Sequence, residues 1–282
     1  MRLTKLGHSC VRLDKDGTIL VIDPGTFTDA AAALDGAAAV LVTHEHPDHL
    51  DADAIRAALS SDPGVTLWAN QSICAQFAEF GDRVHEVRHG DALAVAGFDV
   101  HVYGVDHALI HPDIPLVVNT GFLVDGELFH PGDSFTVPED PANTLLVPIS
   151  APWLKAGDMI DYFRAVAPAR GYAIHDAILN DNGLGLMTRM LSVAAAPSGA
   201  QVTRLEPGTS VDLGLSWTVT SEIRRVTVRD PGRRPAGRIS SHSSFAEGGR
   251  ASRLPLPVQP RRRRHPGRRG RVPPGHGPPG GG

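Results

Sequence analysis

The segment His44-Glu45-His46-Pro47-Asp48-His49 constrains this chain more than any other. It sets three imidazoles and a metal-suited carboxylate within six residues, donor types that a borderline cation such as zinc prefers. The run before it, Ala38 to Thr43, is apolar and of the length of a buried strand. Pro47 inside the cluster excludes a helix interior, since proline lacks the backbone donor and clashes with the preceding turn. The donors therefore belong to a loop at the C-terminal end of a strand, where a rigid sheet can aim them. One loop offering four ligands, divided between neighbouring positions, points to a pair of cations.

The rest of the chain divides into two objects. Residues 221–282 hold 15 Arg and no Lys against Glu222, Asp230 and Glu247, a net +12, while the remainder holds 12 basic and 28 acidic residues, a net −16. An acidic body repels a polyanion at long range, which argues against nucleic acid as its partner and leaves a small molecule. Residues 221–282 also carry 11 Gly and 10 Pro. Such a segment buries too little apolar surface to offset its ordering entropy, so 215–282 is expected to be a disordered tail. Arg261 to Arg264 resembles a patch for nucleic acid or an acidic surface, and the Arg/Pro/Gly monotony also matches a GC-rich gene read out of frame. Cys10 and Cys74 make no disulfide framework. The first residues lack the apolar core of a signal peptide, and no apolar run reaches the roughly 20 residues that cross a bilayer. The expectation is a cytoplasmic protein with no membrane partner.

Patterning predicts strands near 2–6, 9–13, 18–22, 65–68, 84–87, 92–95, 98–103, 117–124, 127–130, 145–147, 170–174 and 201–205. It predicts helices near 52–60, 71–80, 156–166 and 184–195, with a short helix or turn in 30–39 and a closing turn at Leu205-Glu206-Pro207-Gly208. Asp51 is placed to cap the helix over 52–60.

The spacing His-x-His-x-Asp-His after a strand resembles the signature of the metallo-β-lactamase superfamily. Later segments fall in that family's order: Val105-Asp106-His107 after one strand, Gly132-Asp133-Ser134 after another, His175-Asp176 after a third. Leu6-Gly7-His8-Ser9-Cys10 with Asp23-Pro24-Gly25 is similar to the branch of small stand-alone metal-dependent hydrolases related to ascorbate-phosphate lactonases. Ile149-Ser150-Ala151-Pro152-Trp153-Leu154-Lys155 departs from the Gly-rich segment many of those relatives carry there. The resemblance covers residues 1–214 and implies an αββα four-layer sandwich of two mixed sheets flanked by helices.

It also implies a ligand set. His44, His46 and His107 would hold one divalent cation, Asp48, His49 and His175 a second, with Asp133 between them. Zinc is the expected metal, with manganese or iron open. The implied activity is hydrolysis of a small ester, lactone, amide or phosphoester by a hydroxide shared between the cations, with Asp48 as the group that takes its proton. Related folds also house iron oxidoreductases acting on oxygen or persulfides, the alternative class.

Ligand imidazoles need partners that fix their tautomer, and Asp23 is the leading candidate, with a plain turn as its other reading. His8 could line the site or donate to an oxyanion, or bond to backbone. Thr43 could brace the metal loop. Trp153 could wall a pocket and Lys155 bind an anionic group, against ordinary loop packing and solvation. Ser9 and Ser134 are read as turn residues, and His85, His89 and His101 as surface residues. His111 competes with His107 as a ligand and loses on distance from the strand end; His130 is read as structural.

Overall fold

The computed structural model describes residues 1–214; the tail at 215–282, and the disorder expected of it, lie outside the described residues. Two seven-stranded sheets face each other. The first has the order β14-β1-β2-β3-β4-β5-β6, built from β1 (Arg2–Gly7), β2 (Cys10–Lys15), β3 (Thr18–Ile22), β4 (Ala39–Val42), β5 (Thr66–Ala69), β6 (Val84–Glu86) and β14 (Ser210–Asp212). The second runs β13-β12-β11-β10-β9-β8-β7, from β7 (Ala92–Val95), β8 (Phe98–Tyr103), β9 (Gly121–Val124), β10 (Leu128–His130), β11 (Thr144–Pro148), β12 (Arg170–Ile174) and β13 (Gln201–Thr203). Leu3, Leu13, Leu20 and Leu41 of the first sheet interdigitate with Val100, Phe122, Val124 and Leu146 of the second to form the central core.

Helices cover the outer faces. α1 (Ala30–Leu34), α2 (Ala52–Ser61) and α3 (Gln71–Gln76) belong to a second apolar cluster in which Ile55, Leu59 and Ile73 meet Val40, Val42 and Leu67. α4 (Ala156–Val166) and α5 (Asp181–Ala195) set Met159, Phe163 and Leu191 against Leu145, Val147 and Ala173. This is the expected αββα sandwich. Asp51 caps α2 as expected, its carboxylate accepting from Ala54 N at 3.0 Å.

Strand direction decides where function can sit. β3 to β6 run parallel, and β1 shares their direction because β2 is antiparallel to both β1 and β3. In the second sheet β10 to β13 run parallel, and β8 shares their direction through antiparallel β9. Every residue singled out for the site follows the C-terminal end of such a strand: His8 after β1, Asp23 after β3, the histidine loop after β4, His107 after β8, Asp133 after β10, Trp153 after β11 and His175 after β12. Side chains from loops at one end of an α/β sheet converge there without further design.

Four local readings shift. The strand expected over 117–124 starts only at Gly121, because Asn119 and Thr120 spend their side chains bracing neighbouring loops. The helix expected over 71–80 stops at Gln76, and a short 3-10 turn over Ala78–Arg83 follows, with Gly81 at φ 57°. α5 begins three residues before its apolar pattern, where Asn180 accepts from Gly183 N at 3.0 Å. After the turn at Glu206–Thr209 the chain adds β14, antiparallel to β1 at the sheet edge.

One buried ionic cluster ties the sheets together at the site end. Lys5 of β1 is fully buried and donates to Asp176 Oδ2 at 2.6 Å and to the Ala173 carbonyl at 3.0 Å. Arg204 donates to the same Asp176 oxygen at 2.6 Å. Burial pushes the Lys5 ammonium down from its ordinary pKa, with Asp176 opposing that shift. Removing one partner of a buried pair strands the other charge. Asp176→Asn is therefore expected to cost about 3 kcal/mol, read as a lower urea midpoint with an unchanged slope; a loss of less than about 1 kcal/mol would show that Lys5 does not depend on this carboxylate.

Candidate metal centre

Asp23 organises the site. It is buried, with φ 53°, a left-handed conformation that Asp tolerates better than most residues. That turn swings its carboxylate against the neighbouring strand end. Oδ1 accepts from Thr43 N at 2.8 Å; Oδ2 accepts from the Thr43 hydroxyl at 2.7 Å and from His49 Nδ1 at 2.7 Å. With its proton given to Asp23, the Thr43 oxygen is the acceptor for His44 Nδ1 at 3.0 Å. The same logic repeats on backbone carbonyls: His107 Nδ1 donates to Ala108 O at 2.6 Å, and His175 Nδ1 to Ser150 O. In the neutral form of all four rings the proton is on Nδ1, so Nε2 carries the free lone pair.

Those lone pairs are otherwise idle. His44, His49, His107 and His175 Nε2, and Asp133 Oδ1, are buried without a hydrogen-bond partner. An orphaned buried polar atom costs roughly 1–3 kcal/mol, and five converging in one place mark a ligand site. His49 Nε2 lies 3.1 Å from Asp133 Oδ1 and His175 Nε2 lies 3.0 Å from Asp133 Oδ2, while His107 Nε2 lies 3.4 Å from Asp133 Oδ2. At His49 and His107 the approach is close but not aligned as a hydrogen bond. Donors sharing an ion at about 2.0–2.2 Å stand about 3.4 Å apart and aim at a common point rather than at each other.

The donors fall into overlapping groups, each with atoms within 4.8 Å of one another: His44, His46 and His107; His8, Asp48, His49 and His175; His44, His49 and Asp133. The first is nearly equilateral, with ring centroids 4.7, 4.8 and 4.9 Å apart. Asp133 stands between His107 on one side and His49 and His175 on the other. Electrostatics also ask for a cation here. Burial opposes charge on His175, yet the adjacent carboxylates of Asp133 and Asp48 lift its pKa to about 9. Burial opposes charge on His49 too, and Asp133 and Asp23 outweigh it. Burial holds His44 well below the usual imidazole value. The donor set thus fits a metal by its chemistry, its idle atoms and its negative potential.

His8 stands in the second group geometrically but differs in tautomer. Its Nδ1 accepts from Ala177 N at 3.2 Å, so its Nε2 carries the proton and donates to Asp48 Oδ2 at 3.1 Å. His8 thus holds the carboxylate of Asp48, a candidate ligand, where the sequence left it between lining the site, donating to an oxyanion and bonding to backbone. His8 and His175 are left-handed, at φ 44° and 57°, and the His8 carbonyl accepts from His175 N at 3.0 Å, locking the two loops together.

Two glycines admit the loops. A Cβ on Gly25 would lie 2.0 Å from the Asp48 carbonyl oxygen, and one on Gly132 would lie 2.2 Å from Asn119 Oδ1. The Asp-Pro-Gly and Gly-Asp-Ser turns are thus seats for neighbouring loops. Asn119, absent from the sequence reading, accepts from Asp133 N at 2.9 Å and donates to the Pro131 carbonyl at 2.8 Å. Its signal was an Asn inside a supposed strand, where Asn is depleted.

The remaining candidates separate. Trp153 Nε1 donates to Asp133 Oδ2 at 3.1 Å, and its ring stands edge-on to His107. Lys155 is exposed before the first turn of α4, and no side-chain hydrogen bond or ion pair of Lys155 occurs among the described residues. His111 is exposed beside Asp113, away from the groups above. His130 donates through Nε2 to Ser9 O at 2.9 Å and accepts from Gly132 N, which braces the Asp133 turn. The Ser134 hydroxyl donates within the same turn, to Pro131 O and Thr136 Oγ1.

Residues 2–175 match the family described as the Beta-lactamase superfamily domain. A Mycobacterium tuberculosis protein, Protein Rv0786c, is 40% identical over 191 residues, covering 66% of this chain and 89% of that one. A UPF0173 metal-dependent hydrolase of Azorhizobium caulinodans is 32% identical over 117 residues, 38% of this chain and 50% of that one. Among solved structures, Igni18, a metallo hydrolase from Ignicoccus hospitalis, shares the fold at TM-score 0.58 and 20% identity, over 74% of this chain and 97% of that one. The chain belongs to the metallo-β-lactamase superfamily. No helix among the described residues is long and apolar enough to cross a membrane.

Loss of a partner that orients a metal-binding histidine typically weakens metal affinity 10–100-fold. Asp23→Asn, which removes the charge at constant shape, should do so in competition with a chromophoric chelator. Unchanged affinity would show that His44 and His49 are oriented by something else.

Proposed function

We propose that the chain hydrolyses a small ester, lactone, amide or phosphoester with two divalent cations, zinc foremost, at this centre. The observation that carries the reading is the set of buried, unpartnered donor atoms on His44, His49, His107, His175 and Asp133. His44, His46 and His107 would hold one cation; Asp48, His49 and His175 the other; Asp133 would serve both. When bound, such cations lower the pKa of water toward about 7 and polarise a reacting carbonyl or phosphoryl oxygen.

The chain's own residues do the rest. Asp48 Oδ2 is held by His8, whereas no hydrogen bond to Asp48 Oδ1 occurs among the described residues, so that oxygen is available to take the proton of the attacking water. Burial works against the charge on Asp48, and His175 and the His8 hydrogen bond hold its pKa well below the ordinary range, so it stays ionised. Trp153 fixes Asp133 through its indole N–H and flanks the imidazole of His107. No serine or cysteine nucleophile is needed: Ser134 is committed to its turn, and burial lifts the Cys10 thiol beyond reach. A cytoplasmic location belongs to the same proposal.

Elemental analysis of the full chain purified without added metal, with a hydrolase panel of lactones, phosphodiesters and thioesters, tests this reading. His46→Ala is expected to lose metal and at least about 100-fold in turnover with circular dichroism unchanged. Full metal content and turnover in that variant would sink the ligand assignment. Iron with oxygen consumption in the wild-type chain would instead favour the oxidoreductase class.

A further inference from the structure

Three loops that carry or clasp the donor atoms each end in an exposed apolar side chain. Phe27, on the loop after Asp23, is 49% exposed, Leu109 is 59% exposed and Ile178 is 52% exposed. Their places relative to the donors are fixed. The Phe27 ring stands edge-on to His8, with centroids 5.1 Å apart. Ala177 N donates to His8 Nδ1, so Ile178 is the next residue along a segment tied to the same imidazole. Ala108 accepts from His107 through its carbonyl and donates to the Asp133 carbonyl at 2.8 Å, so Leu109 follows a residue tied to that pair. Exposed apolar side chains scattered singly need no explanation. Here three separate loops present them beside one donor cluster, and Trp153 adds an aromatic face beside His107.

The two cations nearest the Asp176 end of the site are already paired. Lys5 and Arg204 are both consumed by Asp176, and Lys155 is exposed ahead of α4. Apolar walls with few polar groups suit a ligand that is largely uncharged.

We infer that the substrate of this centre is an uncharged carboxylic ester or lactone whose apolar chain lies against Phe27, Leu109 and Ile178; the inference rests on the hydrolase reading above. The reaction balances with water alone. The water oxygen bonds to the acyl carbon, the acyl C–O bond breaks, and the proton ends on the departing oxygen.

Two readouts on the metal-loaded full chain test it. The first is calorimetric binding of linear alkyl hydroxamic acids from two to eight carbons. The second is kcat/KM for p-nitrophenyl esters of the same chain lengths, against bis(p-nitrophenyl) phosphate. Burying each methylene should tighten binding about two- to fourfold, a gain of at least about 50-fold from the shortest to the longest probe. Phe27→Ser with Ile178→Ser should cut that gain at least about fivefold, with circular dichroism and metal content as folding controls; Leu109→Ser should act in the same direction. Lys155→Ala should leave the gain unchanged. Binding that ignores chain length, or a phosphodiester turned over faster than every ester, overturns the inference while the hydrolase reading stands. Chain-length-dependent binding without hydrolysis of any ester overturns the ester or lactone assignment, and loss of phosphodiester turnover as well sinks the hydrolase reading. A change of molar mass by light scattering in the double variant, with a flat chain-length series, would make this rim a surface between copies and overturn the inference too.

Discussion

The buried carboxylate of Asp23 is the interaction on which the rest of the site depends. It accepts three hydrogen bonds, from the Thr43 backbone and hydroxyl and from His49 Nδ1. A carboxylate without water is tolerable only when its lone pairs are filled in this way. Its effect reaches further than its contacts. By taking the Thr43 hydroxyl proton it turns that oxygen into an acceptor for His44. Two imidazoles at opposite ends of the histidine loop thus receive the same tautomer from one group. Both then present bare Nε2 atoms to a common space.

That arrangement is stored at a cost. His8, Asp23 and His175 all sit in left-handed backbone, and such conformations cost on the order of 1–2 kcal/mol for residues with a Cβ. Buried donors with no partner add to this. Strain of this kind persists where surrounding structure over-determines it, and here two sheets do so. The Lys5–Asp176–Arg204 cluster holds the strand end that delivers His175, and the His8–His175 backbone bond closes the seam between the sheets. A cation bound by the idle donors would relieve much of this cost, so metal occupancy and folding stability are coupled.

The strand directions explain why these costs fall at one end. Both sheets send their parallel strands the same way, and each contributes loops whose short span leaves little freedom. Glycine appears where two such loops must touch: Gly25 beneath the Asp48–His49 backbone, Gly132 against Asn119 and Thr43. The rim outside the donors is built differently, from apolar side chains rather than polar braces. On the proposed reading, substrate selection and cation binding would fall on different residues of the same loops.

Much of this was legible in the sequence. The donors at His44, His46, Asp48, His49, His107, Asp133 and His175 could be named because donor chemistry is residue-specific and each follows a strand-like run. The αββα order followed from apolar periodicity and from resemblance. Asp23 could be named as a tautomer-fixing partner but not told from a plain turn. The second layer of organisation was not legible. Lys5 lies 171 residues from Asp176, and Ala177 lies 169 from His8. Asn119 looked like strand, β14 lay beyond the last expected element, and Phe27 was one exposed aromatic among many loop residues. Local propensity and donor identity are properties of neighbours along the chain, so sequence alone determined which side chains could bind a metal and which strands would present them. Tautomer, grouping of donors and the apolar rim depend on atoms brought together across two sheets, and only the tertiary structure decided them.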